Sequence, residues 1–322
     1  MDRLALERHQ VWLYLAAIVA GLVVGGLWPG LKPAFEAALW PVLAALLYVT
    51  FVQVPLLHVR AAFADRRFVA ALLLGNFVLL PLLVWALLAA LPQDTALRLG
   101  VALVLLVPCT DWFITFSHLG RGDAARAIAV TPLNLLAQLV LLPVYLGLML
   151  PLGELTAAWR SDGLLTAALA LIGLPLLLAA LTERWLESDR ARAPWRERLA
   201  WWPVPLLAGV VFLIAAAQVG TVRSAGSELL AVLPAFLAFL LAAALIARLL
   251  TGWFGLQPAA GRTLAFSFGT RNSFLVLPLA LTLPPGWETA VVVIVLQSLV
   301  ELFGMVFYLW WLPARLFPAS PR

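Results

Sequence analysis

Four consecutive residues in a long apolar stretch, Pro108-Cys109-Thr110-Asp111, combine groups that can do chemistry. Proline cannot donate a backbone hydrogen bond, and it interrupts a helix. A cysteine thiolate prefers soft, thiophilic elements to hard cations. An ionisable group such as Asp111 is costly at membrane depth and usually marks a functional site. The cluster predicts a broken helix that presents a soft ligand beside a charge. The structural alternative is a proline kink with a core cysteine.

A second polar interruption lies in the other half of the chain, between Ser267 and Ser273. Each interruption precedes an apolar segment that carries polar groups: Thr131, Asn134 and Gln138 after the first, and Gln297, Ser298 and Glu301 after the second. Asn134 and Gln138 lie four positions apart, as do Gln297 and Glu301, so each pair shares one helix face. This concentration predicts one site built from two broken helices and the helices that follow them.

Three ionisable residues fall within apolar segments: Asp111, Arg271 and Glu301. Arginine stays ionised in practically any protein setting, so Arg271 needs a carboxylate or an anionic substrate nearby. If the broken helices cross, Asp111 and Arg271 meet there, either to shape a site or as a purely structural ion pair. A carboxyl group within the last apolar segment favours a proton-coupling role for Glu301. A protonated Glu301 bonded to a neighbouring helix is the alternative.

The composition places the chain in a membrane. Of its 322 residues, 64% are hydrophobic and only 11% are charged, and apolar segments of membrane-spanning length recur throughout. The net charge of +5 comes from arginines in short loops, which indicates topology and not nucleic-acid binding. A single cysteine excludes an internal disulfide and a multi-cysteine metal site. We find no catalytic or cofactor motif and predict neither an enzyme nor a cofactor.

The apolar pattern predicts an all-α polytopic membrane protein with ten transmembrane helices. If the N-terminus is cytoplasmic, sixteen of the 21 basic residues fall in inside loops and four in outside loops, which is the expected bias. The remaining basic residue is Arg271. The predicted spans are 10–28, 35–57, 67–91, 97–118, 124–150, 162–182, 201–219, 228–251, 261–283 and 288–313.

The charged segment 183–200 divides these spans into five and five. We interpret it as a cytoplasmic amphipathic connector within one membrane domain. Residues 1–182 hold the first repeat (about 10–150) and one further span, and residues 162–313 form the second repeat. An odd number of spans per half makes the two repeats inverted, with broken, crossing helices 4 and 9. This is a common architecture of secondary transporters.

Taken together, the motifs resemble the arsenite-efflux permeases of the arsenical-resistance-3 type, within the bile acid/sodium symporter superfamily. The resemblance spans the whole chain and is carried by Pro108-Cys109-Thr110, by Asn134, by Asn272-Ser273-Phe274 and by Glu301. It implies ten spans in two inverted repeats and export of arsenite, sometimes antimonite, in exchange for protons. It also implies an essential role for Cys109.

Two departures from that family stand out. Leu275 occupies the position of a carboxylate that the permeases usually carry, and Asp111 stands where a small or apolar residue is typical. The sodium-coupled branch carries Glu and Gln for sodium binding where this chain has Ser267 and Arg271. A fixed guanidinium at that position should repel sodium, so we expect proton coupling or uncoupled flux.

The leading hypothesis is a proton-coupled arsenite exporter in a bacterial inner membrane, with both termini cytoplasmic and arsenite or antimonite, protons and lipid as its partners. We expect no nucleic-acid partner. Cys109 would contact the metalloid, with no bound metal otherwise, while Asp111, Arg271 and Glu301 would supply charge or protons. The alternatives are a small-organic-anion transporter in which Arg271 binds the substrate carboxylate, and a membrane sensor or scaffold. The predicted hydrogen-bonding substrate ligands are Thr110, Thr131, Asn134, Asn272 and Gln297.

Overall fold

The computed structural model describes residues 3–55, 65–150, 164–224 and 226–318, and the regular elements in these ranges are helices. Seven helical stretches among them are long and apolar enough to cross a membrane, which agrees with a polytopic membrane protein. The count of ten spans in inverted repeats stays a prediction. Spans 35–57 and 162–182 extend into residues outside the described ranges. The helices are α1 (Arg3–Leu27), α2 (Lys32–Gln53), α3 (Arg66–Ala90), α4 (Thr95–Leu105), α5 (Trp112–Leu119), α6 (Ala124–Met149), α7 (Leu164–Glu187), α8 (Ala193–Leu199), α9 (Pro203–Ala217), α10 (Val219–Ser224), α11 (Gly226–Trp253), α12 (Pro258–Gly269), α13 (Ser273–Leu281) and α14 (Glu288–Trp311).

The helices pack in two groups. Helices α1, α2, α7 and α9 pack on one another, with α9 in contact with both α1 and α2. The second group contains α3, α4, α5, α6, α11, α12, α13 and α14, in which α12 packs on α11 and α14 packs on α4. Within this second group α4 and α5 flank the first break, and α12 and α13 flank the second. The second group therefore holds both interruptions that the sequence predicts.

Both breaks have local causes. Helix α4 ends at Leu105 and α5 begins at Trp112, so Pro108 lies inside the first break. The second break is shorter than expected, because α12 continues to Gly269 and α13 begins at Ser273. The side chain of Asn272 accepts a hydrogen bond from the first turn of α13, and this N-cap fixes where α13 starts.

A π-helical turn, Gly75–Leu79, interrupts α3. Such turns insert one extra residue into an α-helix and are frequent at functional sites. Gly75 is required there because a Cβ atom at this position would overlap the ring of Phe268 in α12. The close approach brings Asn76, which follows Gly75, against α12.

The ends of α3 and α6 are joined by a cluster of charges. Asp65 caps α3 through the backbone N–H of Phe68, and this hydrogen bond lowers the pKa of Asp65 below its ordinary value, with a further contribution from Arg126. Arg126 also forms an ion pair with Asp123 at 2.8 Å.

The predicted connector 183–200 is largely helical, because α7 continues to Glu187 before α8 begins.

We predict that Gly75→Ala destabilises the protein by about 1–3 kcal/mol, because the added methyl group overpacks the contact with Phe268. The measurement is the thermal unfolding midpoint of the purified protein in detergent. Gly173→Ala in α7 is the matched control, since a Cβ atom there meets nothing within 4 Å. Equal midpoints for the two variants would contradict this account of the π-helical turn.

Candidate functional site at the crossing of two helix breaks

The two helix breaks meet and pair through their backbones. Pro108 and Arg271 form an isolated antiparallel bridge. The N–H of Cys109 donates to the carbonyl oxygen of Thr270 at 3.2 Å, and the N–H of Asn272 donates to Val107 at 2.8 Å. Unpaired backbone groups are expensive away from water, and this pairing satisfies four of them where the helices are interrupted. The predicted crossing of the two broken segments is therefore formed.

The polar residues of the first break lie at this crossing. Cys109 is 2% exposed, and its sulfur accepts a hydrogen bond from the N–H of Asp111 at 3.5 Å. The hydroxyl oxygen of Thr110 accepts a hydrogen bond from Nδ2 of Asn272 at 3.2 Å. Three of the predicted substrate ligands, Cys109, Thr110 and Asn272, are thus brought together by contacts between the two breaks.

The guanidinium of Arg271 lies inside a cage of oxygen atoms. Its Nη2 donates to the carbonyl oxygens of Phe268 and Ser267, at 2.6 and 2.9 Å, and to Oδ1 of Asn76 at 3.1 Å. Its Nη1 donates to the carbonyl oxygen of Leu105 at 3.3 Å. Leu105 and Phe268 belong to the last turns of α4 and α12, where a helix carries partial negative charge. The guanidinium therefore neutralises the ends of both helices at the breaks.

The structure does not form the expected pair between Asp111 and Arg271. Among the described residues, the hydrogen bonds of the Arg271 side chain go to neutral oxygen atoms, and the ring of Phe239 lies 5.2 Å from the guanidinium carbon. The physical reason is that the breaks leave carbonyl groups without helical partners, and arginine supplies several donors from one side chain. Asp111 instead stands at the N-cap position of α5.

The side chain of Glu301 is bonded to the backbone of the second break. One carboxylate oxygen, Oε2, accepts hydrogen bonds from the N–H of Arg271 at 2.8 Å and from Nε2 of Gln297 at 2.9 Å. The other oxygen, Oε1, is buried and has no hydrogen-bond partner among the described residues. Ser273 links Gln297 to the start of α13, and Ser298 donates to Ser273 at 2.7 Å. The predicted residues Gln297 and Glu301 therefore belong to the same cluster as the break.

Helix α6 presents a set of buried polar side chains. Thr131 donates its hydroxyl hydrogen to the carbonyl of Ala127 within the helix, at 2.9 Å. Asn134 and Gln138 are 0% and 1% exposed, and neither carboxamide has a hydrogen-bond partner among the described residues. Helix α6 contacts α4, α5 and α12, the elements that flank the crossing. Unpaired buried amides are rare in folded proteins. Asn134 and Gln138 therefore keep hydrogen-bonding capacity that the described part of the chain does not use.

Sequence reasoning missed Asn76. This residue is completely buried, accepts from Arg271 and donates to the hydroxyl of Ser267 at 3.0 Å. The only signal in the sequence is a lone polar residue beside Gly75 in an otherwise apolar run.

In the described part of the chain, no group of three His, Cys, Asp or Glu side chains comes together to hold a metal.

Two comparisons with known proteins identify the family of this chain. Residues 40–225, more than half of the chain, match the Sodium Bile acid symporter family. The chain is also 22% identical over 329 aligned residues to the arsenical-resistance protein Acr3 of Corynebacterium glutamicum, an alignment that covers 95% of this chain and 85% of that protein. The chain therefore belongs to the sodium bile acid symporter family, and it is a multi-pass membrane transporter and not an enzyme.

Proposed function

We propose that this protein is a secondary active transporter that exports arsenite, with antimonite as a second substrate, in exchange for protons, and so confers arsenic resistance. One observation carries the proposal. Two adjacent residues of the second break bind the two groups that the mechanism needs. The carbonyl of Thr270 accepts from the N–H of Cys109, which carries the only thiol, and the N–H of Arg271 donates to the buried carboxylate of Glu301. The similarity to the arsenical-resistance protein Acr3 supports the same conclusion.

The thiol provides the selective contact in this proposal. Trivalent arsenic is thiophilic, and a single sulfur ligand favours soft elements without forming a chelate. One ligand alone gives weak, reversible binding, which suits a transporter that must release its substrate. Cys109 is buried at the crossing, where the two halves of the chain meet.

Neutral hydroxyl groups on arsenite need hydrogen-bond partners in a dry site. Thr110 and Asn272 meet at the crossing, and Gln297 lies beside Ser273 at the start of α13. Thr131 and Asn134 supply further groups from α6. These neutral side chains bind a hydroxide of the metalloid without the desolvation cost of a charged partner.

Glu301 is the proposed proton carrier. Its Oε2 is fixed by two hydrogen bonds, while Oε1 is buried without a partner among the described residues and is free to take a proton. Gain of a proton at Oε1 removes a buried charge, and loss of that proton restores the carboxylate, while Oε2 accepts from the N–H of Arg271 in both states. Asp111 is the second proposed carrier, at the start of α5.

Sodium coupling and organic-anion binding are both disfavoured by Arg271. The guanidinium already donates to four protein oxygen atoms, and these compete with a substrate carboxylate for its donors. A fixed positive charge inside an oxygen cage also repels a second cation there.

In the proposed topology ten spans form two inverted repeats in a bacterial inner membrane, with both termini in the cytoplasm.

We predict that Cys109→Ser abolishes arsenite export, because serine keeps the size of the side chain and an acceptor for the N–H of Asp111 but loses the soft ligand. The measurement is arsenite uptake into everted membrane vesicles, compared with vesicles that lack the protein. Thr251→Ser, at a buried threonine bonded within α11, is the control and should transport normally. Wild-type rates in the Cys109→Ser protein, at equal amounts in the membrane, would exclude the thiol mechanism.

We predict that Glu301→Gln removes the stimulation of arsenite uptake by a proton gradient. Exchange of labelled for unlabelled arsenite at equal pH should survive, because glutamine can still accept from the N–H of Arg271. Glu288→Gln makes the same change near the start of α14, where the carboxylate accepts from Gly286, and should leave gradient stimulation intact. Unchanged stimulation in Glu301→Gln would mean that another group carries the proton.

We predict that arsenite uptake into vesicles proceeds at the same initial rate in sodium and in potassium media. The reason is that the guanidinium of Arg271 already fills the oxygen cage at the breaks. Dissipating the proton gradient with an ionophore serves as the positive control and should slow uptake in both media. A rate that rises with sodium concentration would overturn this assignment of Arg271.

A further inference from the structure

Two equivalent tyrosine contacts reveal a common register in the two halves of the chain. Tyr145 in α6 donates its hydroxyl hydrogen to the carbonyl of Phe77, 68 positions earlier. Tyr308 in α14 donates to the carbonyl of Leu240, also 68 positions earlier. Each residue of the second pair stands 163 positions after its counterpart in the first. The same tertiary hydrogen bond is therefore made once in each half.

The crossing obeys the same interval. Arg271 follows Pro108 by 163 positions, and these two residues form the antiparallel bridge. Phe239 follows Asn76 by the same interval, and both lie against the guanidinium of Arg271. An antiparallel bridge between equivalent residues is what a two-fold relation between inverted halves produces. The register thus assigns every residue of one break a counterpart in the other.

Under this register, the unpaired amides on α6 have counterparts that are paired. Asn134 corresponds to Gln297, and Gln138 corresponds to Glu301. In the second half, Gln297 donates to Glu301, and Glu301 accepts from the backbone N–H at the centre of the bridge. In the first half, both carboxamides have no partner among the described residues, although they are at most 1% exposed.

Proline explains the difference between the halves. The backbone donor that fixes Glu301 belongs to Arg271, whose counterpart is Pro108, and proline has no N–H group. By the same register, the position that corresponds to the donor for Glu301 has no N–H group to offer Gln138. Four buried polar atoms that lack a partner in the described ranges carry a desolvation cost, and native proteins rarely retain such groups unless a ligand or water satisfies them.

We propose that Asn134 and Gln138 form the polar wall of a binding site for a small neutral molecule that carries several hydroxyl groups, on the Cys109 side of the crossing. A carboxamide offers both donors and an acceptor, and a hydroxyl group matches either. Two neutral amides supply no charge to hold an ion. Identification of that molecule with arsenite, a neutral trihydroxide near neutral pH, rests on the proposed function.

The two halves then divide the work of transport. The Gln297–Glu301 pair holds a titratable group against the bridge, while the Asn134–Gln138 pair binds the neutral substrate. Gln138 is a specificity-determining residue in this scheme. Its role differs from that of a structural glutamine, whose removal would weaken the fold.

The test compares Gln138→Met with Gln297→Met, two near-isosteric changes at equivalent positions. Loss of Gln138 removes unpaired polar atoms, so the thermal unfolding midpoint without substrate should equal or exceed that of the wild type. Loss of Gln297 removes a hydrogen bond to Glu301, so the midpoint should fall. Gln53→Met in α2, where the amide bonds to Val49, is the control outside the site.

The same variants are then tested for substrate. Gln138→Met should raise the arsenite concentration for half-maximal vesicle uptake by about tenfold, the effect of one lost hydrogen bond in a dry site. It should also reduce the shift of the unfolding midpoint caused by arsenite. A midpoint that falls as far as that of Gln297→Met, or unchanged half-maximal uptake, would overturn the proposal.

A failure of the proposed function gives a different result. If the wild type neither transports arsenite nor is stabilised by it, the arsenite assignment is wrong. The neutral polyhydroxides boric acid and orthosilicic acid then replace it as probes in the unfolding assay. Stabilisation that depends on Gln138 would support the site for this chemical class, and absence of any such stabilisation would overturn it.

Discussion

The backbone bridge between the two helix breaks is the interaction on which the rest of the site depends. A broken helix in an apolar interior exposes N–H and C=O groups that hydrocarbon cannot satisfy. Here each break supplies what the other lacks, because Cys109 donates to Thr270 and Asn272 donates to Val107. The same pairing fixes the positions of the side chains in both breaks. The same hydrogen bonds therefore stabilise the two breaks and place the side chains beside them.

A permanent positive charge completes the crossing. The guanidinium of Arg271 stays protonated near neutral pH. It donates hydrogen bonds to carbonyl oxygens at the ends of α4 and α12 and to Oδ1 of Asn76. Such a set of oxygens, drawn from carbonyls and an amide, is also the type that hard cations prefer. An arginine in that position acts as a tethered cation that cannot leave. A fixed charge thus occupies a place whose oxygen atoms would otherwise suit a diffusible cation, and the side chain of Glu301 is bonded to the backbone of the same arginine.

Much of this arrangement could be predicted from the sequence, and the failures have specific causes. Pro108 and the polar run around Arg271 marked both breaks, because such residues are conspicuous in apolar segments. The predicted partner of Arg271, Asp111, was wrong. Opposite charge favoured that pair, but in the structure the guanidinium binds carbonyl oxygens that have no helical partner. Backbone groups carry no sequence signal, so their demand for donors appears only once the helix ends are known. Asn76 was missed for a related reason, because its position depends on the π-helical turn in α3 and on the close approach of Phe268.

The difference between the two halves follows from one residue. At equivalent places in the bridge stand Pro108, which has no N–H, and Arg271, whose N–H fixes Glu301. An acidic side chain at the position of Gln138 would find no backbone donor there and would be a buried charge without a partner. A neutral amide is the less costly residue at that position, and it still offers donors and an acceptor to a ligand. Proline in one break and arginine in the other are thus the reason that a backbone donor is present for Glu301 and absent at its counterpart position in the proposed register.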